Sequence, residues 1–250
     1  MASVLDRYGI KEVADLTFYD IKDGKRDVPV LYIDTAKVST IEQTAENVSA
    51  RGGKGNPELI TWDYGKEITL SIEDALYSAK SLAIQFGGGK VSGLGAGEKI
   101  YKTFSKANLD SESTATSIKA TNNGVTVTLS QPTFYKVSED GTEEVTVSDI
   151  KADEFDYVTG EVTASSNFVI DVSANAFPGT YYITGDTYAR SEASGKDEFF
   201  QFIVPKGKVL AESNTLTLEA EGDPTVFSMN VKVLRPADGV MMKLIQYTVA

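Results

Sequence analysis

Alternation with a period of two residues constrains this chain more than any other feature. In Phe227-Ser228-Met229-Asn230-Val231-Lys232-Val233 every second residue is apolar and those between are polar. An extended strand points successive side chains to opposite faces, so such a run offers one face to a core and the other to water. The same alternation recurs at Val125–Leu129, Glu67–Ile72 and Leu216–Glu221, as expected of half-buried antiparallel strands. Turn residues fall between the runs, at Asp23-Gly24, Asp140-Gly141, Gly222-Asp223-Pro224 and Ala237-Asp238-Gly239. The C-terminal part reads as a meander from Phe199–Val204 through Thr215–Ala220 and Val226–Leu234 to Val240–Val249. The expectation is an all-β antiparallel sandwich or barrel, folded as a single domain over residues 1–250.

One segment departs from the two-residue period. Ser71-Ile72-Glu73-Asp74 has the form of an N-cap followed by acidic first-turn residues. Ile72, Ala75, Leu76, Ala79 and Ala83 then fall at helical spacing, and Gly87-Gly88-Gly89 stops the pattern. This predicts one flanking helix near 73–85, docked on the sheet by Leu76 and Ala79. Six of the eleven residues from Gly87 to Gly97 are glycine. The Ser-, Thr-, Lys- and Asn-rich stretch that follows, 98–123, reads as a mobile loop, and strand patterns resume over 124–173 between acidic turns.

Composition removes most chemistries. The chain has no histidine and no cysteine, so Ser-His-Asp triads, Cys-His pairs and thiolate nucleophiles are excluded. Ordinary zinc sites and disulfides fall with them. GGGKVSGLGAGEK suggests a phosphate loop, but Gly89-Lys90 precedes Val91 rather than Ser or Thr, and position 84 is Ile. Those glycines also follow the expected helix, whereas a dinucleotide fingerprint precedes one. Carboxylate pairs remain available for glycoside chemistry, yet Asp153, Glu154 and Asp156 read as a solvated acidic turn. Asp149, Asp153 and Asp156 offer hard oxygen ligands without the Asp-x-Asp-x-Asp-Gly spacing of a calcium loop. Twelve Tyr and eleven Phe against the single Trp62 fit core or interface packing better than a sugar platform. Asn47-Val48-Ser49 matches the glycosylation triplet only by coincidence. The expectation is a non-enzyme with no cofactor and no metal.

The charge is equally informative. With 24 Lys+Arg and 36 Asp+Glu, the net charge is 24 − 36 = −12, which argues against a protein that clamps duplex DNA. No apolar run reaches the ~20 residues of a membrane span. The opening MASVLDRYGIKE has acidic residues where a secretory leader would be apolar, so folding in a cytoplasm is expected.

Two blocks of sequence form a familiar pair. The first runs from Arg51-Gly52-Gly53-Lys54-Gly55-Asn56-Pro57 through Leu59-Ile60-Thr61-Trp62-Asp63-Tyr64-Gly65-Lys66-Glu67-Ile68 into Glu73-Asp74-Ala75-Leu76. The second runs from Phe177-Pro178-Gly179-Thr180-Tyr181 and Gly185-Asp186-Thr187-Tyr188 through Phe199–Lys206 and Leu216–Pro224 to Met242-Lys243-Leu244-Ile245. Together they resemble the tail tube (major tail) proteins of long-tailed bacteriophages and phage-tail-like particles, over about 30–86 and 175–248; residues 98–173 add little.

The resemblance implies a β-sandwich or barrel subunit of tail-tube type with one flanking helix. Such subunits form hexameric rings that stack into a hollow tube, and DNA passes through the lumen during ejection. It further implies a virion protein assembled in the host cytoplasm. Its partners are its own copies, the tape measure, baseplate and terminator proteins and, in contractile tails, a sheath. Lumens of this kind are often negative, which suits the charge of −12. Thr40–Glu46 and Lys66–Ser71 are the candidate inner-barrel strands, with Glu42, Glu46 and Glu67 facing the lumen or standing at a solvated rim. Arg51, Gly52, Gly53, Lys54 and Gly55 are the candidate inter-ring loop, docking on an acidic patch, against the alternative of an ordinary hairpin tip. The stretch 98–173 would be an elaboration on the tube exterior. Two other classes share these features: another virion component, such as a capsid decoration or tail-terminator protein, and a carbohydrate-binding β-sandwich.

Overall fold

The computed structural model describes residues 7–86, 88–122, 124–164, 167–212 and 225–248. The strands are β1 (Tyr8–Ile10), β2 (Asp15–Lys22), β3 (Lys25–Ile33), β4 (Ala36–Arg51), β5 (Glu58–Asp74), β6 (Ile100–Ser105), β7 (Ile118–Asn122), β8 (Val125–Ser138), β9 (Gly141–Val145), β10 (Tyr157–Val162), β11 (Thr180–Ser191), β12 (Asp197–Val209), β13 (Phe227–Val233) and β14 (Lys243–Tyr247). The one α-helix among the described residues is α1 (Ala79–Phe86). Every strand pairing is antiparallel, so the all-β reading holds. No described helix is long and apolar enough to cross a membrane.

The chain divides into two compact units, Met1–Val91 with Ile170–Ala250, and Ser92–Val169. In the first, a nine-stranded sheet runs in the order β3-β2-β11-β12-β13-β5-β4, with β1 on β11 and β14 on β12. Residues from both ends of that order, Phe18 and Ile33 at one and Leu70 and Ile72 at the other, share one buried cluster with Ile84 of α1. The sheet is therefore rolled around its apolar face, as its one-sided alternation requires. The β2–β3 turn has positive φ at both Asp23 (53°) and Gly24 (73°), the conformation in which Asp-Gly joins two twisted strands.

Three expectations are corrected here. Residues 71–74 do not begin a helix: Ile72, Glu73 and Asp74 complete β5, opposite Met229, Ser228 and Phe227. Ser78 starts the helix instead, because Ser81 N donates to Ser78 Oγ (3.0 Å) and Ser78 N donates to Ser81 Oγ (2.9 Å). These reciprocal bonds satisfy two end donors that have no intrahelical acceptor. Leu76 is exposed, and α1 docks through Ala83 and Ile84, which are fully buried.

The C-terminal meander is broken as well. β13 takes the edge of β12 only at Gly207–Val209, and β14 pairs the free remainder at Phe199–Ile203 instead of pairing with β13. The expected strand Thr215–Ala220 lies outside the described residues.

Finally, 98–123 is not a loop throughout, since it contains β6 and β7. In the unit Ser92–Val169 these strands join a five-stranded sheet, β6-β10-β8-β7 with β9 on β8, over a separate core that includes Ile118, Leu129, Phe134, Phe155 and Val158. Its two ends meet: Ser92 N donates to Val169 O at 3.0 Å, and Val169 N donates to Ser92 O at 2.8 Å.

Candidate functional site

β4 and β5 form the longest hairpin, 16 and 17 residues, and Thr40–Thr44 pairs with Ser71–Glu67. At its base one face is buried through Ile68, Leu70 and Ile72, which pair with Gln43, Ile41 and Ser39. The other face carries Thr40, Glu42 and Thr44 opposite Ser71, Thr69 and Glu67. Register thus places Glu42 and Glu67 together on the polar side of the ribbon. β13 extends that side with Asn230 and Lys232, opposite Ser71 and Thr69.

Glu67 is not a free anion, because Lys232 Nζ donates to its Oε1 at 2.7 Å. Both side chains are about half exposed, at 55% and 41%, so the pair adds at most ~1 kcal/mol. Its main effect is to cancel charge locally, leaving Glu42, Glu46 and Glu73 as the acidic groups of the ribbon's polar side. β4 pairs only with β5 and β3 only with β2, so both ends of the strand order are open edges among the described residues.

Beyond Glu46 the hairpin is exposed on both faces almost to its tip. The tip closes through Gly52 N to Pro57 O (3.2 Å) and Asn56 N to Gly53 O (3.1 Å). Gly53, Gly55 and Asn56 all have positive φ (83°, 86° and 49°), which explains a Gly-rich tip ending in Asn. Arg51 is engaged within its own hairpin: Arg51 Nη2 donates to Glu58 Oε2 at 3.2 Å. Ser49 Oγ donates to Glu58 Oε1 at 2.6 Å, and Thr61 Oγ1 donates to the same oxygen.

These hydroxyl donors, Ser49 first and Thr61 next, together with the Arg51 guanidinium, hold the Glu58 carboxyl below the usual carboxylate range. A carboxyl depressed in the folded state contributes order that is full above its unfolded pKa and lost as pH falls through the folded one. The protection of the Gly52 and Asn56 amides, taken relative to the intrinsic exchange rate at each pH, should therefore fall on acidification below the usual carboxylate range. Glu58→Gln should show the lower protection already at neutral pH; a wild-type protection factor that does not change with pH would refute the assignment.

The acidic turn considered for an ion is neutralised by lysines. Asp153 pairs with Lys106 (3.3 Å) and Lys136 (3.8 Å), and Asp156 with Lys136 (3.7 Å). Asp149 Oδ1 accepts from Lys151 N at 2.9 Å. Among the described residues no group of three or more His, Cys, Asp or Glu is placed to hold a metal ion. The prominent construction is thus an extended two-faced ribbon on an open-edged sheet, a geometry suited to joining bodies rather than to holding a small molecule.

Comparison with known proteins agrees: the family described as YomU/Tube protein matches residues 8–246. The chain belongs to the YomU/Tube protein family. No curated protein matches it. Membership points to a phage tube-like structural protein. The YomU/Tube match also runs through Ser92–Val169, so this unit lies within the family's span although sequence resemblance was weakest there. Sequence reading missed Lys232 as the partner of Glu67, Glu58 as the organiser of the tip and Gly185 as a packing site. The only available signal was local alternation, which does not reveal which strands are neighbours.

Proposed function

We propose that this chain is the repeating subunit of a phage-tail-type tube, forming hexameric rings that stack around a lumen through which DNA passes during ejection. The observation that carries this reading is the long edge strand β4, unpaired on its outer side among the described residues, beside a ribbon face lined by Thr40, Glu42, Thr44, Thr69 and Ser71. An exposed edge of this length invites pairing with another chain. Pairing β4 of one copy with another open edge of the next turns that hazard into a heterologous contact, which closes into a ring when the rotation permits.

Closure would carry the polar ribbon faces into a continuous inner wall, wet inside and packed outside. Glu42 and Glu46, and the pair Glu67–Lys232, would stand on that wall. A subunit of charge −12 repels phosphate, so DNA slides without adhering. The tip, with Lys54 in the loop Arg51–Gly55, reaches an acidic surface of the neighbouring ring. Ser92–Val169, whose ends meet at Ser92 and Val169, elaborates the exterior. Terminator, baseplate and tape-measure proteins would bind the ends or lumen of the tube, within a virion.

Negative-stain electron microscopy of the concentrated protein tests this. Hollow tubes with a regular axial repeat, or six-fold rings, are the expected result; a uniform monomer under every assembly condition would overturn it.

A further inference from the structure

In an uninterrupted strand, Ile60, Trp62 and Tyr64 would share a face with Ile68, Leu70 and Ile72 and continue the surface that covers this chain's own core. The register prevents this. Thr44 pairs with Glu67, and the next pair is Glu46 with Tyr64. One residue, Ala45, therefore stands opposite two, Gly65 and Lys66, and Gly65 has φ of 65°. This is a β-bulge with glycine in the left-handed position. Beyond it, Tyr64, Trp62 and Ile60 pair with Glu46, Val48 and Ala50. On β4 these residues continue the side of Glu42 and Thr44, not the side of Ile41 and Gln43. The apolar stripe has changed faces. The side that covers the core at the base is continued by Asn47, Ser49, Thr61 and Asp63, with Ser49 Oγ and Thr61 Oγ1 3.1 Å apart.

Val48, Ile60, Trp62 and Tyr64 remain 55%, 55%, 53% and 53% exposed, so this chain covers only about half of each. We infer that these four residues are the hairpin's contact face for a second copy of this chain, and that the Gly65–Lys66 bulge sets which way that face points. The inference rests on the tube reading. Three observations select a second copy as the occupant. The stripe lies on the face opposite the subunit's own core, where another body must sit to bury it. The tip beside it carries Lys54, with Arg51 already paired to Glu58, whereas the chain as a whole carries −12, so another copy is an acidic body complementary to Lys54. A tube also needs two unlike, complementary surfaces on each chain; the stripe continues the side of Glu42 and Thr44 but lies beyond the bulge, past the base segment Thr40–Thr44 of the polar wall, and supplies one of them.

Trp62 is the only tryptophan, so its fluorescence reports this face in the unmodified protein. Dilute monomer should emit at the wavelength of a solvated indole and be quenched freely by acrylamide. On assembly, followed in parallel by sizing and electron microscopy, emission should shift to the blue and quenching should fall several-fold. Two variants complete the test. Trp62→Ser keeps the bulge, and insertion of one alanine after Ala45 gives Gly65 and Lys66 a partner each, which removes the bulge and returns the stripe to the core side. Each should yield folded monomer, with β-type circular dichroism, that no longer assembles. Assembly with Trp62 still quenched as in the monomer, or wild-type assembly by Trp62→Ser, would overturn the inference and leave the tube reading intact. Failure of the wild type to assemble at all would overturn the tube reading, and this inference with it. If the insertion variant does not fold, the wild-type fluorescence and Trp62→Ser decide.

Discussion

Gly185→Ala should destabilise the first unit by about 3 kcal/mol, the upper end of what overpacking a core costs. Gly185 on β11 lies directly opposite Phe202 on β12. A Cβ at Gly185 would stand 2.1 Å and 2.2 Å from the Phe202 ring carbons Cζ and Cε1. The ring has no room to retreat, because Phe202 is only 3% exposed within the main core. Glycine inside a strand usually weakens it, so its presence mid-strand marks a close approach; here an aromatic ring lies across the backbone. The loss corresponds to a fall in Tm of roughly 6–12 °C for a unit of this size. Gly185→Ala combined with Phe202→Leu should lose less than the sum of the two single changes, since the smaller side chain vacates the space the methyl needs. Thermal unfolding of the three variants checks this, and an unchanged Tm for Gly185→Ala would refute the packing argument.

Reversing the acidic groups of the polar wall should have the largest effect on function. Glu42→Lys with Glu46→Lys changes the net charge from −12 to −12 + 4 = −8 and leaves each ring wall locally basic. Both residues are exposed, so folding stability should change by no more than about 0.5 kcal/mol per site. Wild-type tubes should not retain duplex DNA. Variant tubes should co-sediment with it at low salt and release it as salt rises, with log affinity falling by about 0.9 per neutralised phosphate for each unit of log salt. Glu67 is left unchanged because a lysine there would face Lys232, now its partner at 2.7 Å. Variant tubes that form normally yet ignore DNA at low salt would show that this face does not line the lumen.

The sequence by itself determined the class of fold and much of its parts list. The two-residue period located β13 at its full length and the runs inside β5 and β8, because burying one face of a strand forces alternation. Asp23-Gly24 marked its hairpin for a local reason, since both residues tolerate positive φ. The missing histidine and cysteine and the excess of acid were likewise legible without coordinates.

What only the tertiary structure decided was which neighbour each strand has and which way each face points. Residues 71–74 carried helix signals, but cross-strand pairing with Phe227–Asn230 held them in β5, and tertiary contacts outweigh propensities of a few tenths of a kcal/mol per residue. β14 skipped β13 because the free edge of β12 lay open at Phe199–Ile203. Above all, alternation fixes a side chain's face only relative to its own strand. One extra residue at Gly65–Lys66 inverts that relation, sending Trp62 to the side opposite Leu70 although both are even-numbered positions of the same strand.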